Sequence, residues 1–439
     1  MSNSSVTPAG LFDFCSGATS TAATMTVRSI SMNRLQVSSV SFPIRIALIL
    51  SLAASISFGA TTPTKKRKYH TTVTHKSVVA VTPAVAHSAV SHSAVVRKAS
   101  LTTTRTGTPT APIIAGGPWT EPTYADSTVG DNIDGEDLDV RRAAVEALGS
   151  FNGSVVVADP STGRILTMVN QKVALGTGFQ PCSTVKVSVA LAGLSEKTIQ
   201  PANKMRVGAM KMDLTYALAH SNNLYFATLG EKLGFEKVSY YAHLFGYGEK
   251  AGLNIPGEQP GRYPVAPPHN GGVGMLTSFG EEISQTPLQL AALMSAIANG
   301  GTLYYLQYPR NQADVASFVP RVKRRLDIDG LIPEIKPGMR AAVEFGTAHR
   351  ARDDGAIAGK TGTCSENHTH LGWFGSFNDD GPRKLVVVVL LTGGRPAIGP
   401  LAAGIAGDVY RRLGEKNYFS RASMMTPAAL ISSQICCRQ

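Results

Sequence analysis

The chain has 439 residues, 43% hydrophobic and 16% charged, with a net charge of +12, a length that allows one large domain with extensions, or two domains. The charge is lopsided: residues 1–110 hold 11 Lys/Arg against a single acidic residue, Asp13, leaving +2 for the remainder. With the folded part nearly neutral, the basic surplus belongs to a tail and excludes a nucleic-acid-binding domain as its source.

Residues 46–60 (IALILSLAASISFGA) form an apolar run preceded by Arg28, Arg34 and Arg45. The run is shorter than the ~20 residues of a membrane-spanning helix and reads as the hydrophobic region of an export signal. A start at Met32 would give that signal ordinary proportions. The alternative is an uncleaved N-terminal anchor. Either way the bulk of the chain is expected outside the cytoplasm, in the periplasm or on the outer face of the membrane. Residues 61–136 are rich in Thr, Ser, Ala, Pro and Val, a composition that buries too little apolar surface to offset ordering entropy and predicts a linker. His70, His75, His87 and His92 fall here with irregular spacing and no partners, so no metal site is expected.

Globular patterning begins at residue 137. Residues 141–148 suit a helix, and 154–158 and 164–169 read as strands joined by Asp159-Pro160-Ser161-Thr162-Gly163, whose Pro and Gly supply turn dihedrals. A helix-rich middle follows, in which Thr286-Pro287 opens a helix with an N-cap and a proline at its first position and Gly300-Gly301 closes it. Strands return at 356–363, 371–377 and 384–391, then a helix at 399–413 precedes a polar tail, 416–439. Strands at both ends with helices between predict an α+β domain over 137–415, an antiparallel sheet closed from both chain ends beside a helical subdomain.

Three short patterns lie in this domain: Ser183-Thr184-Val185-Lys186, Ser221-Asn222-Asn223 and Lys360-Thr361-Gly362-Thr363. Read as S-x-x-K, S-x-N and K-T-G in that order, they are the serine β-lactamase and penicillin-binding set. Any one alone is a weak signal. Ser183 follows Pro181 and precedes an apolar helical run, placing it at a helix start where unpaired N–H groups favour negative charge. Lys186, three residues on, shares its helix face. To act as a base near neutrality its amine needs burial or a neighbouring cation, and Lys360 is the candidate. Ser221 is positioned to relay protons between the two lysines, and the amide of Asn223 to grip a peptide-like bond. On its strand, Gly362 lets a ligand backbone approach, while Lys360 and the Thr361 and Thr363 hydroxyls suit a carboxylate. The backbone N–H groups of Ser183 and Thr363 would make an oxyanion hole.

With these motifs in place, residues 137–415 resemble the transpeptidase domain of penicillin-binding proteins, nearest the class B type. Further likeness lies in Asp159 to Leu166, in Phe245-Gly246-Tyr247-Gly248 through Glu258, in Thr286 to Leu290, in Gly346-Thr347-Ala348 and in Gly372-Trp373-Phe374. The resemblance implies a penicillin-binding/β-lactamase-like fold and a D,D-transpeptidase that needs no cofactor or metal. In that reading Ser183 attacks the D-Ala-D-Ala bond of a peptidoglycan stem peptide, Lys186 is its base, and the acyl group passes to a neighbouring stem amine. Asn223 binds the substrate amide, and Lys360 and Thr361 hold its carboxylate. β-Lactam antibiotics would trap the serine, and other wall-synthesis proteins are possible partners. Two departures stand out: only low-complexity sequence precedes the domain here, and Gly280-Glu281-Glu282 occupies the place of a frequent Gly-Gln-Gly run. Both glutamates are expected to be structural.

The alternatives are a serine hydrolase of the same fold, β-lactamase or D,D-carboxypeptidase, and a non-catalytic β-lactam sensor or binding module. Of five cysteines, Cys15, Cys436 and Cys437 lie toward the chain ends, whereas Cys182 and Cys364 flank the motifs. If Ser183 and Thr363 line one oxyanion hole, their neighbours are close enough to pair, as at equivalent positions in certain carbapenem-hydrolysing class A β-lactamases. A Cys182–Cys364 disulfide is therefore expected, against two buried free thiols.

Overall fold

The computed structural model describes residues 119–200, 203–353 and 356–420. The signal or anchor segment, most of the expected linker and residues 421–439 lie outside the described residues.

In α1 (Leu138–Leu148) the Asp137 carboxylate caps the first turn, accepting from the N–H groups of Asp139 and Val140. The chain then runs through β1 (Gly153–Ala158), β2 (Ile165–Val169), α2 (Gln171–Ala174) and α3 (Lys186–Ser195). A small hairpin of β3 (Met205–Val207) and β4 (Met210–Met212) leads into α4 (Leu214–Ala219), α5 (Asn223–Leu233), α6 (Phe235–Leu244) and α7 (Gly272–Phe279). Next comes α8 (Pro287–Ala298), started by the expected Thr286 cap. Gln289 completes a capping box by accepting from the Thr286 N–H, so two otherwise orphaned donors are satisfied. Every residue of α8 is buried, which explains a helix apolar all round rather than along one stripe. Then follow β5 (Thr302–Tyr304), α9 (Gln312–Ala316), β6 (Val322–Arg325), α10 (Ile332–Glu344), β7 (Ile357–Glu366), β8 (Thr369–Asn378), β9 (Val386–Gly393) and α11 (Gly399–Glu415).

The main sheet has the order β2-β1-β9-β8-β7 and is antiparallel throughout. Its closure joins the two ends of the domain, with Val155 of β1 opposite Val389 of β9. The uninterrupted apolar run of β9 has a simple cause. Val386, Val388 and Leu390 enter the core beneath the helical subdomain, while Val387, Val389 and Leu391 enter a second core under α1 and α11. With both faces covered, side chains alternate in direction without alternating in polarity. The architecture is the α+β one expected.

Packing extends the folded unit on both sides of the expected 137–415 span. Asn152 N–H donates to Thr123 O (3.0 Å) and Gly394 N–H to Thr123 Oγ1 (2.7 Å). Arg141 is paired with Asp131 (2.7 Å) and with buried Glu136 (3.5 Å), and burial raises the Glu136 pKa. After α11, Tyr418 Oη donates to Asp137 Oδ2 (2.7 Å) beneath the Arg383 guanidinium, 3.8 Å from its ring centre. Averaged composition hides such single anchoring residues. Among the described residues no helix is long and apolar enough to cross a membrane.

Candidate active site

Ser183 sits in a 3-10 turn, Cys182–Val185, that runs directly into α3 and so forms the start of that helix. Pro181 sets the turn up, because its carbonyl accepts from both the N–H and the hydroxyl of Thr184 (3.2 and 2.8 Å). Cys182 adopts a left-handed φ of 51°, uncommon for a residue with a side chain and costly unless its surroundings hold it. They do. Trp373 Nε1 donates to Gln180 O (2.9 Å), Gln180 N–H to Glu366 (2.9 Å) and Gln180 Nε2 to Glu281 (3.2 Å). Glu282 in turn accepts from His269 N–H (3.3 Å). Ser183 itself is 8% exposed.

Lys186 joins two of the three motifs. Its Nζ lies 3.0 Å from Ser183 Oγ, 2.8 Å from Ser221 O and 3.2 Å from Ser221 Oγ, and also bonds Asn223 Oδ1. The side chain is fully buried, with the Phe226 ring 5.6 Å away. Burial, and secondarily the charge of Lys360, pushes the Lys186 ammonium down to about 6, so near neutrality its amine is available to accept a proton from the serine. Ser221 occupies a left-handed turn (φ 53°) between α4 and α5. Asn222 holds that turn: its N–H donates to Ala217 O (2.9 Å) and its side chain caps α5 at Tyr225 N–H. Asn223, exposed at the start of α5, has its carbonyl oxygen on Lys186, which leaves its NH₂ to donate to a ligand.

Lys360-Thr361-Gly362-Thr363 lies on β7, the edge strand of the sheet. Lys360 is wholly enclosed, and burial pushes it down to about 7. Its Nζ donates to Thr361 O (3.1 Å) rather than to Ser221 Oγ, so one of the two expected ammonium groups, that of Lys186, contacts Ser221. The Thr361 hydroxyl meets that of Thr347 (2.7 Å), and Thr363 Oγ1 accepts from Gly399 N–H (2.8 Å). A Cβ at Gly362 would lie 2.8 Å from Pro181 O, 3.1 Å from Trp373 Cβ and 3.2 Å from Thr184 Cγ2, so the missing side chain lets the turn that carries Ser183 pack against the strand. Two residues on, Cys364 forms the expected disulfide with Cys182, Cα atoms 5.6 Å apart.

The turn, the α4–α5 junction and β7 thus converge, bringing together every site residue read from the sequence. Thr347 was noted there as part of Gly346-Thr347-Ala348 but without a role. Its N–H donates to Ala219 O (3.0 Å) beside the S-x-N turn, while its hydroxyl meets the K-T-G strand. Only the fold makes that link visible.

The family model for the penicillin binding protein transpeptidase domain matches residues 153–411. The chain is 29% identical over 285 residues to stage V sporulation protein D of Bacillus subtilis, covering 56% of this chain and 43% of that protein. It is 24% identical over 330 residues to peptidoglycan D,D-transpeptidase MrdA of Escherichia coli, covering 62% and 51%. The chain therefore spans about half the length of these curated relatives or less. Its fold is similar to the crystal structure of Pseudomonas aeruginosa PBP2 in complex with WCK 5153, with a TM-score of 0.54 and 23% identity over 64% of this chain and 77% of that one. With more than half of its length matched by that family model and the three motifs brought together by the fold, the chain belongs to the penicillin-binding protein transpeptidase domain family.

Proposed function

We propose that this chain is a peptidoglycan D,D-transpeptidase that works through an acyl-enzyme on Ser183. The observation that carries the reading is the enclosed amine of Lys186, held on Ser183 Oγ and on Ser221 with its basicity lowered to about 6. Neutral Lys186 takes the Ser183 hydroxyl proton as Oγ bonds to the carbonyl carbon of D-Ala-D-Ala. The Ser183 and Thr363 N–H groups receive the developing oxyanion. The C–N bond then breaks, and the proton reaches the departing D-Ala amine from Lys186 by way of Ser221 Oγ. In the second half, an acceptor stem amine attacks the ester carbonyl, loses a proton to the same lysine, and Ser183 recovers its hydroxyl.

The Asn223 NH₂ donates to the substrate amide. Because Lys360 is enclosed, its charge acts on the terminal carboxylate through space, and the Thr361 and Thr347 hydroxyls make the contact. β-Lactams, which present a similar amide and carboxylate, acylate the same serine. The disulfide supports action in an oxidising compartment, in keeping with export by the segment at 46–60. Incubation with benzylpenicillin followed by intact-mass measurement tests the proposal: a Ser183 adduct persisting for minutes supports it, and rapid loss of the adduct to water supports the hydrolase alternative.

A further inference from the structure

Ser183 stands between two anchored neighbours. On one side Cys182 is tied to β7 by the disulfide. On the other, Thr184 meets the wholly buried side chain of Gln285, with Thr184 Oγ1 3.4 Å from Gln285 Oε1. Gln285 is the residue before the Thr286 cap of α8, and its backbone exchanges two hydrogen bonds with Phe179 (2.8 and 2.9 Å). A Cβ added to Gly178 would lie 2.7 Å from the Gln285 carbonyl carbon, so the two segments are in close contact. Gln285 thus rides on the frame that also carries the chain into the Ser183 turn, yet it belongs to none of the three motifs.

The hydrogen-bonding capacity of this amide decides its orientation. A hydroxyl has one proton to give, and Thr184 gives its own to Pro181 O (2.8 Å). With Oε1 toward Thr184, one acceptor therefore faces another, and the buried Nε2 has no acceptor at all. The buried Tyr247 hydroxyl lies against the Gln285 amide and the Ser188 hydroxyl (3.5 Å). Ser188 in turn gives its proton to Val185 O (2.7 Å). A half-turn of the amide exchanges N and O without changing its shape, and it removes both conflicts. Nε2 then donates to Thr184 Oγ1, and Oε1 accepts from Tyr247 Oη. Because a buried donor without a partner costs its full desolvation, the paired orientation is the stable one.

We infer that Gln285 is a positioning residue for Ser183, linking Tyr247 Oη to Thr184 Oγ1 in a chain of hydrogen bonds that ends on Pro181 O and steadies the turn carrying the serine. The inference rests on the proposed acylation of Ser183 and adds to it a group that touches neither substrate nor reacting atoms. The chain fixes the residue after Ser183 as the disulfide fixes the one before it, and its bonds strengthen one another in a buried setting. Ser183 Oγ is thereby held 3.0 Å from Lys186 Nζ. A displacement of less than 1 Å there is enough to slow the reaction, since attack needs aligned atoms.

The test uses the full chain and a concentration series of benzylpenicillin, quenched and read by intact mass. This separates the dissociation constant of the first complex from the first-order acylation constant. Gln285→Leu should lower the acylation constant about 10-fold and leave the dissociation constant within 2-fold. It should also lower Tm by about 3 °C, because Tyr247 Oη and Thr184 Oγ1 each lose a partner. Adding Tyr247→Phe should recover at least half of that Tm loss and none of the rate. Acylation within 2-fold of the parent in Gln285→Leu overturns the inference. So does a rate that recovers together with Tm in the double variant, which would make Gln285 merely structural, and so does a Gln285→Leu variant that melts higher than the parent, which would show an amide without partners. If benzylpenicillin does not acylate the parent, the proposed function fails instead, and the melting temperatures still decide whether the chain of hydrogen bonds exists.

Discussion

The Cys182–Cys364 disulfide joins the residue before the nucleophile to the residue after K-T-G-T, across a sequence separation of 182. Replacing both cysteines by serine removes the link without leaving a thiol to mispair with Cys436 or Cys437. In the chain-entropy picture a loop of this length restricts the unfolded state by about 5 kcal/mol at 25 °C. For a folded unit of roughly 300 residues, with an unfolding entropy near 2.1 cal/mol/K per residue, that corresponds to a fall of about 8 °C in Tm. A second effect is local. The turn that carries Ser183 keeps Trp373 and the Pro181–Thr184 bonds, but β7 is no longer fixed to it covalently, so the two N–H groups proposed to receive the oxyanion lose their mutual registry. One such donor is worth about 10²–10³ in rate; a loosened rather than deleted pair should lower acylation by about 10-fold. Differential scanning calorimetry and stopped-flow acylation with a chromogenic cephalosporin measure the two effects on one preparation. A double variant that melts within 2 °C of the parent and acylates at the same rate would refute the reasoning.

Other substitutions separate chemistry from stability. Lys186→Met should lower acylation by at least 10³-fold, yet melt no lower than the parent, because it removes a buried amine whose charged form is disfavoured; a large loss of Tm would show that the lysine is structural. Gly362→Ala should cost about 1–3 kcal/mol, as its Cβ would press on Pro181 O, Trp373 and Thr184, and should slow acylation; an unchanged urea midpoint would contradict the observed approach of turn and strand. The acylation rate should rise with pH as Lys186 loses its proton near 6 and fall as Lys360 loses its charge near 7, a narrow bell that Lys186→Met abolishes. Both lysines bind protons less well folded than unfolded, so their contribution to stability should grow as pH rises from about 6 toward 10. Urea midpoints that fall over that range no less steeply in the parent than in Lys186→Met would contradict the burial.

The sheet and most helices were legible because their signals are local. Thr286-Pro287 is a cap with a proline at the first helical position, and the apolar runs of β1 and β9 are long enough to read as strands. The site was legible because its motifs sit at turns and edges where few residue types serve. Three features were not. The 3-10 turn at Ser183 depends on a left-handed Cys182 held by distant Trp373 and Glu366. The packing of 119–136 rests on Asp131 and Glu136 finding Arg141 inside a stretch whose average composition reads as linker. The purpose of Gly362 depends on what lies across from it, and neither spacing nor propensity reveals that neighbour.

The central claim is that Ser183, activated by Lys186, carries the acyl group. Intact-mass spectrometry with peptide mapping after exposure to benzylpenicillin addresses it most directly. The expected result is one adduct of the full penicilloyl mass, mapped to Ser183 and persisting for minutes, absent in Ser183→Ala while that variant keeps the parent's melting temperature. An adduct that survives in folded Ser183→Ala, or maps to another residue, would contradict it.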